Sequence, residues 1–179
     1  MHGPTEMYGD AIPPATLFLL TGPWAAGKTS LVPHLARLLP EVVVFDWDVL
    51  LPGLSAASGK DAHTDPSTWD GLRAMWAAIA GAVLAGGRSV LLCGPALPDA
   101  FAGTGISRHP VRCAWLDCAD DVLAERLRAR GIIEAEIADE LAFMAALRRS
   151  SHTPVPARGR TPEQIAAAVA SWVRAARAR

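Results

Sequence analysis

The chain has 179 residues, 51% of them hydrophobic and 20% charged, with a formal net charge of -1. That size fits one ordinary domain with a real core, and the composition excludes wholesale disorder. The near-zero charge excludes a basic field able to gather nucleic acid or an anionic membrane, so neither is expected as a partner.

Residues 1–14 are polar, with Gly and Pro, and lack the basic-then-apolar order of a secretory signal. A flexible N-terminal tail is expected there, ahead of a single domain over residues 15–179. No apolar run is long enough to span a bilayer. Cys93, Cys113 and Cys118 lie in or beside apolar runs at spacings unlike a zinc site. Buried, reduced thiols in a cytoplasmic protein are the expectation.

In chain order, residues 16–21 (TLFLLT) read as a first strand, continuously apolar as a strand covered on both faces should be. A glycine-containing loop follows, then a first helix to about Leu39, with Pro33 tightening or bending its start. Residues 41–46 (EVVVFD) form a second strand rich in β-branched valine. Asp65 as N-cap and Pro66 at the first helical position open a long helix. Its apolar positions Leu72, Met75, Trp76, Ile79 and Val83 follow the helical period, and Gly86-Gly87 ends it.

Residues 88–93 and 111–116 read as third and fourth strands, and residues 120–130 and 133–149 as two helices parted at Gly131. A short fifth strand is placed near Val155. Thr161 and Gln164 then cap a last helix in capping-box fashion. Strands alternating with helices predict an α/β, three-layer fold with a mostly parallel five-stranded sheet.

The sharpest signal is Gly22-Pro23-Trp24-Ala25-Ala26-Gly27-Lys28-Thr29, which satisfies G-x-x-x-x-G-K-[ST] between an apolar strand and a helix. This P-loop predicts a nucleotide site: backbone N–H groups wrap a polyphosphate, helped by the dipole of the helix that begins there. Glycine at Gly22 and Gly27 keeps a Cβ from obstructing that approach. Lys28 supplies a positive charge to the β- and γ-phosphates, and the Thr29 hydroxyl is a magnesium ligand. Ser30 completes the set of nucleotide-binding residues. ATP with Mg2+ is expected, ATP over GTP on prevalence. Trp24 either stacks on a ligand or packs outward.

Phosphate loops serve motors, switches and kinases, so the position of the acid decides the class. The third strand ends Leu91-Leu92-Cys93-Gly94 without a carboxylate, whereas Phe45-Asp46-Trp47-Asp48 finishes the second with two. Alternation sends these aspartates different ways at the strand end, where open α/β sheets bind ligands. Asp46 suits magnesium and its waters. Asp48 suits an attacking hydroxyl, as acceptor of its hydrogen bond and then its proton. A kinase-like site is the reading, against turn and capping chemistry as the plain one.

Asp46-Trp47-Asp48-Val49-Leu50-Leu51-Pro52 resembles the D-G-D-containing segment of gluconate kinases and the D-x-D of shikimate kinases, within the nucleoside monophosphate kinase superfamily. Leu39-Pro40-Glu41 is similar to a segment of chloramphenicol phosphotransferases. The resemblance implies an ATP-dependent phosphotransferase with Asp48 beside the substrate hydroxyl. It also implies that Arg126 and Arg130, in an R-L-x-x-R-like helix, touch ATP and that Arg126 assists transfer. A solvated basic face is the alternative for the two arginines. A short lid is expected near residues 131–137, with Arg148 and Arg149 either serving it or ending a helix.

The acceptor should lie between Asp48 and the segment from Leu51 through Trp76. Trp47, His63, Trp69 and Arg73 are the polar or stacking candidates, Trp47 the better one for stacking on a ring, while Trp76 is assigned to the core. His63 and His109 are expected to be ordinary loop histidines. The expected activity is transfer of the γ-phosphate to a hydroxyl of a nucleoside, sugar or antibiotic-like acceptor, by a monomer or homodimer. The alternative is a nucleotide-dependent switch or ATPase acting through a protein partner.

Overall fold

Five residues of β1 (Leu17–Thr21) and five of β3 (Ser89–Cys93) are buried at every position, as parallel strands covered on both faces must be. The computed structural model describes residues 14–178, so the expected tail lies outside the described residues apart from Pro14. Among the described residues the other strands are β2 (Val42–Asp46), β4 (Val111–Asp117) and β5 (Thr153–Pro156). The helices are α1 (Lys28–Leu38), α2 (Leu51–Ser58), α3 (Trp69–Ala85), α4 (Asp120–Ala129), α5 (Glu134–Arg149) and α6 (Pro162–Arg177).

All strand pairings are parallel, in the order β2-β3-β1-β4-β5. Side chains alternate across the sheet and divide the core in two. Phe18, Leu20, Leu91, Ala114 and Leu116 meet α1, α4, α5 and α6 on one face. Leu17, Leu19, Val90 and Leu92 meet α3 on the other. This is the expected three-layer α/β architecture. The strand order reverses at β1, so the connections leaving it open a crevice at its carboxyl end.

Local chemistry explains most boundaries. Pro33 lies inside α1, which nevertheless continues to Leu38. The capping box of α6 forms as expected, the Thr161 side chain and Gln164 satisfying each other's backbone N–H groups. Elsewhere the structure departs from expectation. Asp65 caps a single 3-10 turn, Pro66–Thr68, accepting the Ser67 N–H at 2.9 Å, and α3 begins only at Trp69. The buried row of α3 is Leu72, Trp76, Ala80 and Leu84. Met75, expected inside, is 37% exposed. The sheet meets this helix along one i, i+4 row, and there a small alanine fits closest to the strands. A further 3-10 turn, Trp47–Leu50, and α2 follow β2 directly.

Cys93, Cys113 and Cys118 are buried free thiols. Burial pushes Cys93 and Cys113 up to about 12, which leaves them protonated and inert. No described helix is long and apolar enough to cross a membrane.

One close approach fixes the end of β3 against the acid-bearing turn. A Cβ on Gly94 would lie 2.4 Å from Trp47 Cβ and 2.7 Å from its Cγ. Gly94→Ala must therefore displace Trp47 and, with it, the adjacent Asp48. The substitution is expected to destabilise by about 1–3 kcal/mol, read as a lower denaturation midpoint.

Candidate active site

The phosphate loop runs from the buried end of β1 into α1. Gly22 and Gly27 adopt φ 149° and 101°, and Ala25 sits at φ 57°, alternating conformations of the kind that form backbone anion nests. A Cβ on Gly27 meets nothing within 4 Å. Protein packing therefore does not require glycine at Gly27, whereas its positive φ favours one. Helix α1 starts with no side-chain cap and no acid in its first turn, which leaves its orphan donors and positive dipole end open to an anion. Lys28 Nζ donates to the Gly22 and Pro23 carbonyls at 2.6 and 2.8 Å, so the ammonium is held within the loop. Loss of solvation lowers Lys28 to about 8, against the attraction of Asp48 and Glu140.

Asp46 ends β2, and its Oδ1 accepts the Asp48 N–H at 3.2 Å, capping the turn that follows. Both aspartates face the groove that also holds Gly27, Lys28, Thr29 and Ser30. Asp48 remains open to solvent on its cleft side. Even so, partial desolvation and the neighbouring Asp46 raise its carboxyl above the ordinary aspartate value, opposed by Lys28, His63 and Arg130.

Three cavities run together along the carboxyl edge of the sheet. The middle one, about 120 Å³, is the phosphate groove, reached by Arg130 as well as by Lys28 and Thr29. On one side a cleft of about 530 Å³ contains Trp47, Asp48, His63, Trp69, Arg73 and Glu140. On the other a cleft of about 520 Å³ lies between the loop, Arg126 and the stretch from Ala157 to Arg160. Trp24, Asp48, His63 and Pro95 belong to both the first cleft and the groove. Ala25, Gly27, Ser30 and Arg130 join the groove to the second cleft.

No family model matches the sequence, and no curated protein matches it. Solved structures do. The tunicamycin resistance protein of Deinococcus radiodurans superposes with a TM-score of 0.67 at 18% identity, covering 89% of this chain and 95% of that one. A gluconokinase from Sinorhizobium meliloti gives 0.59 at 19% identity, over 91% and 93%. Shikimate kinase from Acinetobacter baumannii, solved in complex with shikimate, gives 0.58 at 16% identity, over 93% and 95%. The fold is that of the small P-loop kinases.

Within this P-loop kinase fold the sequence-predicted residues separate. Arg130 borders the phosphate groove, whereas Arg126 borders only the second cleft and donates from Nη1 to the Ala25 carbonyl at 3.4 Å. Arg148 is drawn away from the site, clamping Asp120 at 2.8 Å and the Cys118 carbonyl at 2.7 Å. Trp76 is in the core, as expected. Trp47 is itself only 7% exposed, its ring 6.0 Å from that of Trp76, so it offers the cleft an edge of the core. Arg73 lines the cleft and pairs with Asp70 on its own helix.

Two residues of the first cleft make contacts that the sequence did not foretell. His63, expected to be an ordinary loop histidine, stacks on Trp24 with centroids 4.5 Å apart and planes at 23°. Together they form a wall shared by the groove and the first cleft, and Trp24 thereby faces inward. Glu140 of α5 accepts the Trp24 N–H at 2.8 Å, and desolvation raises its carboxyl above the usual range. Glu140 falls three residues after buried Ile137 and four before buried Met144. An acid on an apolar helix face was the available signal.

Proposed function

We propose that the chain is an ATP- and magnesium-dependent phosphotransferase that moves the γ-phosphate onto a hydroxyl of a small molecule. One observation carries this reading: Asp48 stands where a ligand-sized cleft meets the phosphate groove. The base of the nucleotide would take the opposite cleft, between Arg126 and residues 157–160, its phosphates the groove, and the acceptor the cleft beside Asp48. The sequence spacing, the left-handed loop geometry and the uncapped α1 all suit a polyphosphate.

Magnesium would be held by the Thr29 hydroxyl and by Asp46, directly or through water, with phosphate oxygens completing its shell. Bound there, the ion would neutralise charge on the β- and γ-phosphates. Asp48 accepts the proton of the acceptor hydroxyl as its oxygen bonds to the γ-phosphorus. The bond from that phosphorus to the bridging oxygen breaks, and its electron pair leaves on ADP. Lys28 stabilises the charge on the transferring group, and Arg130 reaches the same groove. The raised carboxyl of Asp48 brings its basicity toward that of a competent general base.

The experiment is label transfer from γ-labelled ATP to a panel of hydroxylated acceptors, with ADP release into water as reference. Acceptor-dependent transfer is expected. Hydrolysis that ignores every acceptor and responds to a protein partner would sink the proposal. The two arginines should also separate kinetically. Arg130→Ala is expected to lower kcat about 10²-fold, whereas Arg126→Ala acts mainly on the KM for ATP. A loss of melting temperature alone would return both to the solvated face of α4.

A further inference from the structure

The cleft beside Asp48 is walled by rings and by acids. Trp24, Trp47, Trp69 and His63 supply the rings, Leu72 and Leu97 apolar lining between them. Its carboxylates come from three separate elements: Asp48 after β2, Asp99 after β3 and Glu140 on α5. Its guanidinium, Arg73, is already paired with Asp70. Resting on the phosphotransferase reading above, we propose that the acceptor is an amine-bearing alcohol built on an aromatic or similarly flat ring, and that anionic alcohols are disfavoured.

Charge decides the class. With Asp48 assigned to the acceptor hydroxyl, two carboxylates remain to face the rest of the molecule. A carboxylate or phosphate on the acceptor would need forked donors. It would have to draw Arg73 from Asp70 while approaching Asp99 and Glu140. An ammonium meets the opposite surroundings, two acids and a lining rich in indole rings, whose π-systems attract cations. Glu140 is half-buried, and one of its oxygens is engaged by the Trp24 N–H. A cation close by would offset the cost of keeping that carboxylate from water. Asp99 is exposed, and among the described residues its side chain makes no hydrogen bond or ion pair, so its charge is open to a ligand. A volume of about 530 Å³ suits a ligand of one or two rings. The ammonium takes no part in the bond changes; it orients the hydroxyl toward Asp48.

Three probes share a phenyl ring and a secondary hydroxyl and carry a cationic, a neutral or an anionic group beside it: 2-amino-1-phenylethanol, its N-acetyl derivative and mandelate. Binding to the full chain is measured by calorimetry, separately from phosphoryl transfer. The amine is expected to bind about tenfold more tightly than the N-acetyl probe, with mandelate weakest. Glu140→Gln keeps an acceptor for the Trp24 N–H and removes the charge, and should cost the amine about tenfold while sparing the N-acetyl probe. Asp99→Asn, at an exposed position where folding is not at stake, should act in the same direction. Equal affinities, a preference for mandelate, no binding of the amine at millimolar concentration, or an amine preference untouched by both variants would each overturn the proposal. Selective binding of the amine without its phosphorylation would support the ligand class and count against the transferase reading. Transfer to all three probes with equal efficiency would do the reverse.

Discussion

Asp48→Asn is expected to reduce phosphoryl transfer by about 10²- to 10⁴-fold while leaving nucleotide affinity largely intact. Asparagine keeps the shape and a hydrogen-bond acceptor but cannot take the proton from an attacking hydroxyl. Nucleotide binding would draw instead on the loop amides, on Lys28 and on Thr29, of which Asp48 acts only on Lys28, through its charge. Transfer at the wild-type rate would show that another group serves as base. The pH profile of transfer by the unsubstituted chain should carry the same signature. Because Asp48 is raised from 3.8, the acid limb of kcat/KM is expected above ordinary aspartate titration. The alkaline limb should follow Lys28, near its value of about 8 in the free enzyme. In kcat that limb should move higher, since bound phosphates favour the charged ammonium.

Stability should respond in the opposite sense. A carboxyl whose folded value is raised binds protons more tightly when folded, so it contributes stability at low pH that is lost as pH rises above 3.8. At neutral pH the ionised Asp48 is a burden on the fold. Asp48→Asn is therefore expected to raise the melting temperature while activity falls, a combination that separates a functional acid from a structural cap. If the cap formed by Asp46 were the main role of this segment, no such opposition would appear.

Trp76→Ala is expected to cost about 3–5 kcal/mol, a large share of the stability of a single domain. Trp76 is 1% exposed on the sheet side of α3. Its ring lies 5.4 Å from Phe45 and 6.0 Å from Trp47, and its Nε1–H donates to the Trp47 carbonyl at 3.2 Å. Truncation leaves a cavity and a buried carbonyl without its donor, at the turn that carries Asp48. Trp76→Phe should recover much of the packing but not the hydrogen bond. The pair then separates the two contributions in urea titrations, and activity should track the carbonyl's donor if that bond sets the turn.

The sheet was legible because strands covered on both faces leave continuous apolar runs, and the phosphate loop because its chemistry fixes spacing. Even β5 could be placed despite Pro154 and Pro156, since it lies at the sheet edge beyond β4, where missing N–H groups are tolerated. Helix α2 escaped notice for the converse reason. None of its residues is buried, so no periodicity marks it; its traces are Pro52 in the first turn and Gly59 at φ 68° behind it. That Asp46 and Asp48 border the groove could be anticipated because strand ends have a known relation to ligands. Glu140 and Trp24 stand 116 residues apart in sequence, and only folding brings α5 onto the loop. Which arginine meets the groove was equally tertiary: Arg126 lies in the last turns of α4 and is engaged by the loop carbonyl of Ala25, whereas Arg130 is the residue that ends the helix.

The junction residues have a further consequence for inhibitor chemistry. Because Asp48 borders two chambers and Arg130 borders two, with one chamber in common, the three spaces adjoin as one series. A bisubstrate compound, adenosine tethered through a polyphosphate to an acceptor fragment, would span it end to end. The tether sets a high effective concentration for the second half once the first is seated. Such a compound should hold far more tightly than either fragment alone, and the tether length giving the strongest binding would measure the gap between donor and acceptor.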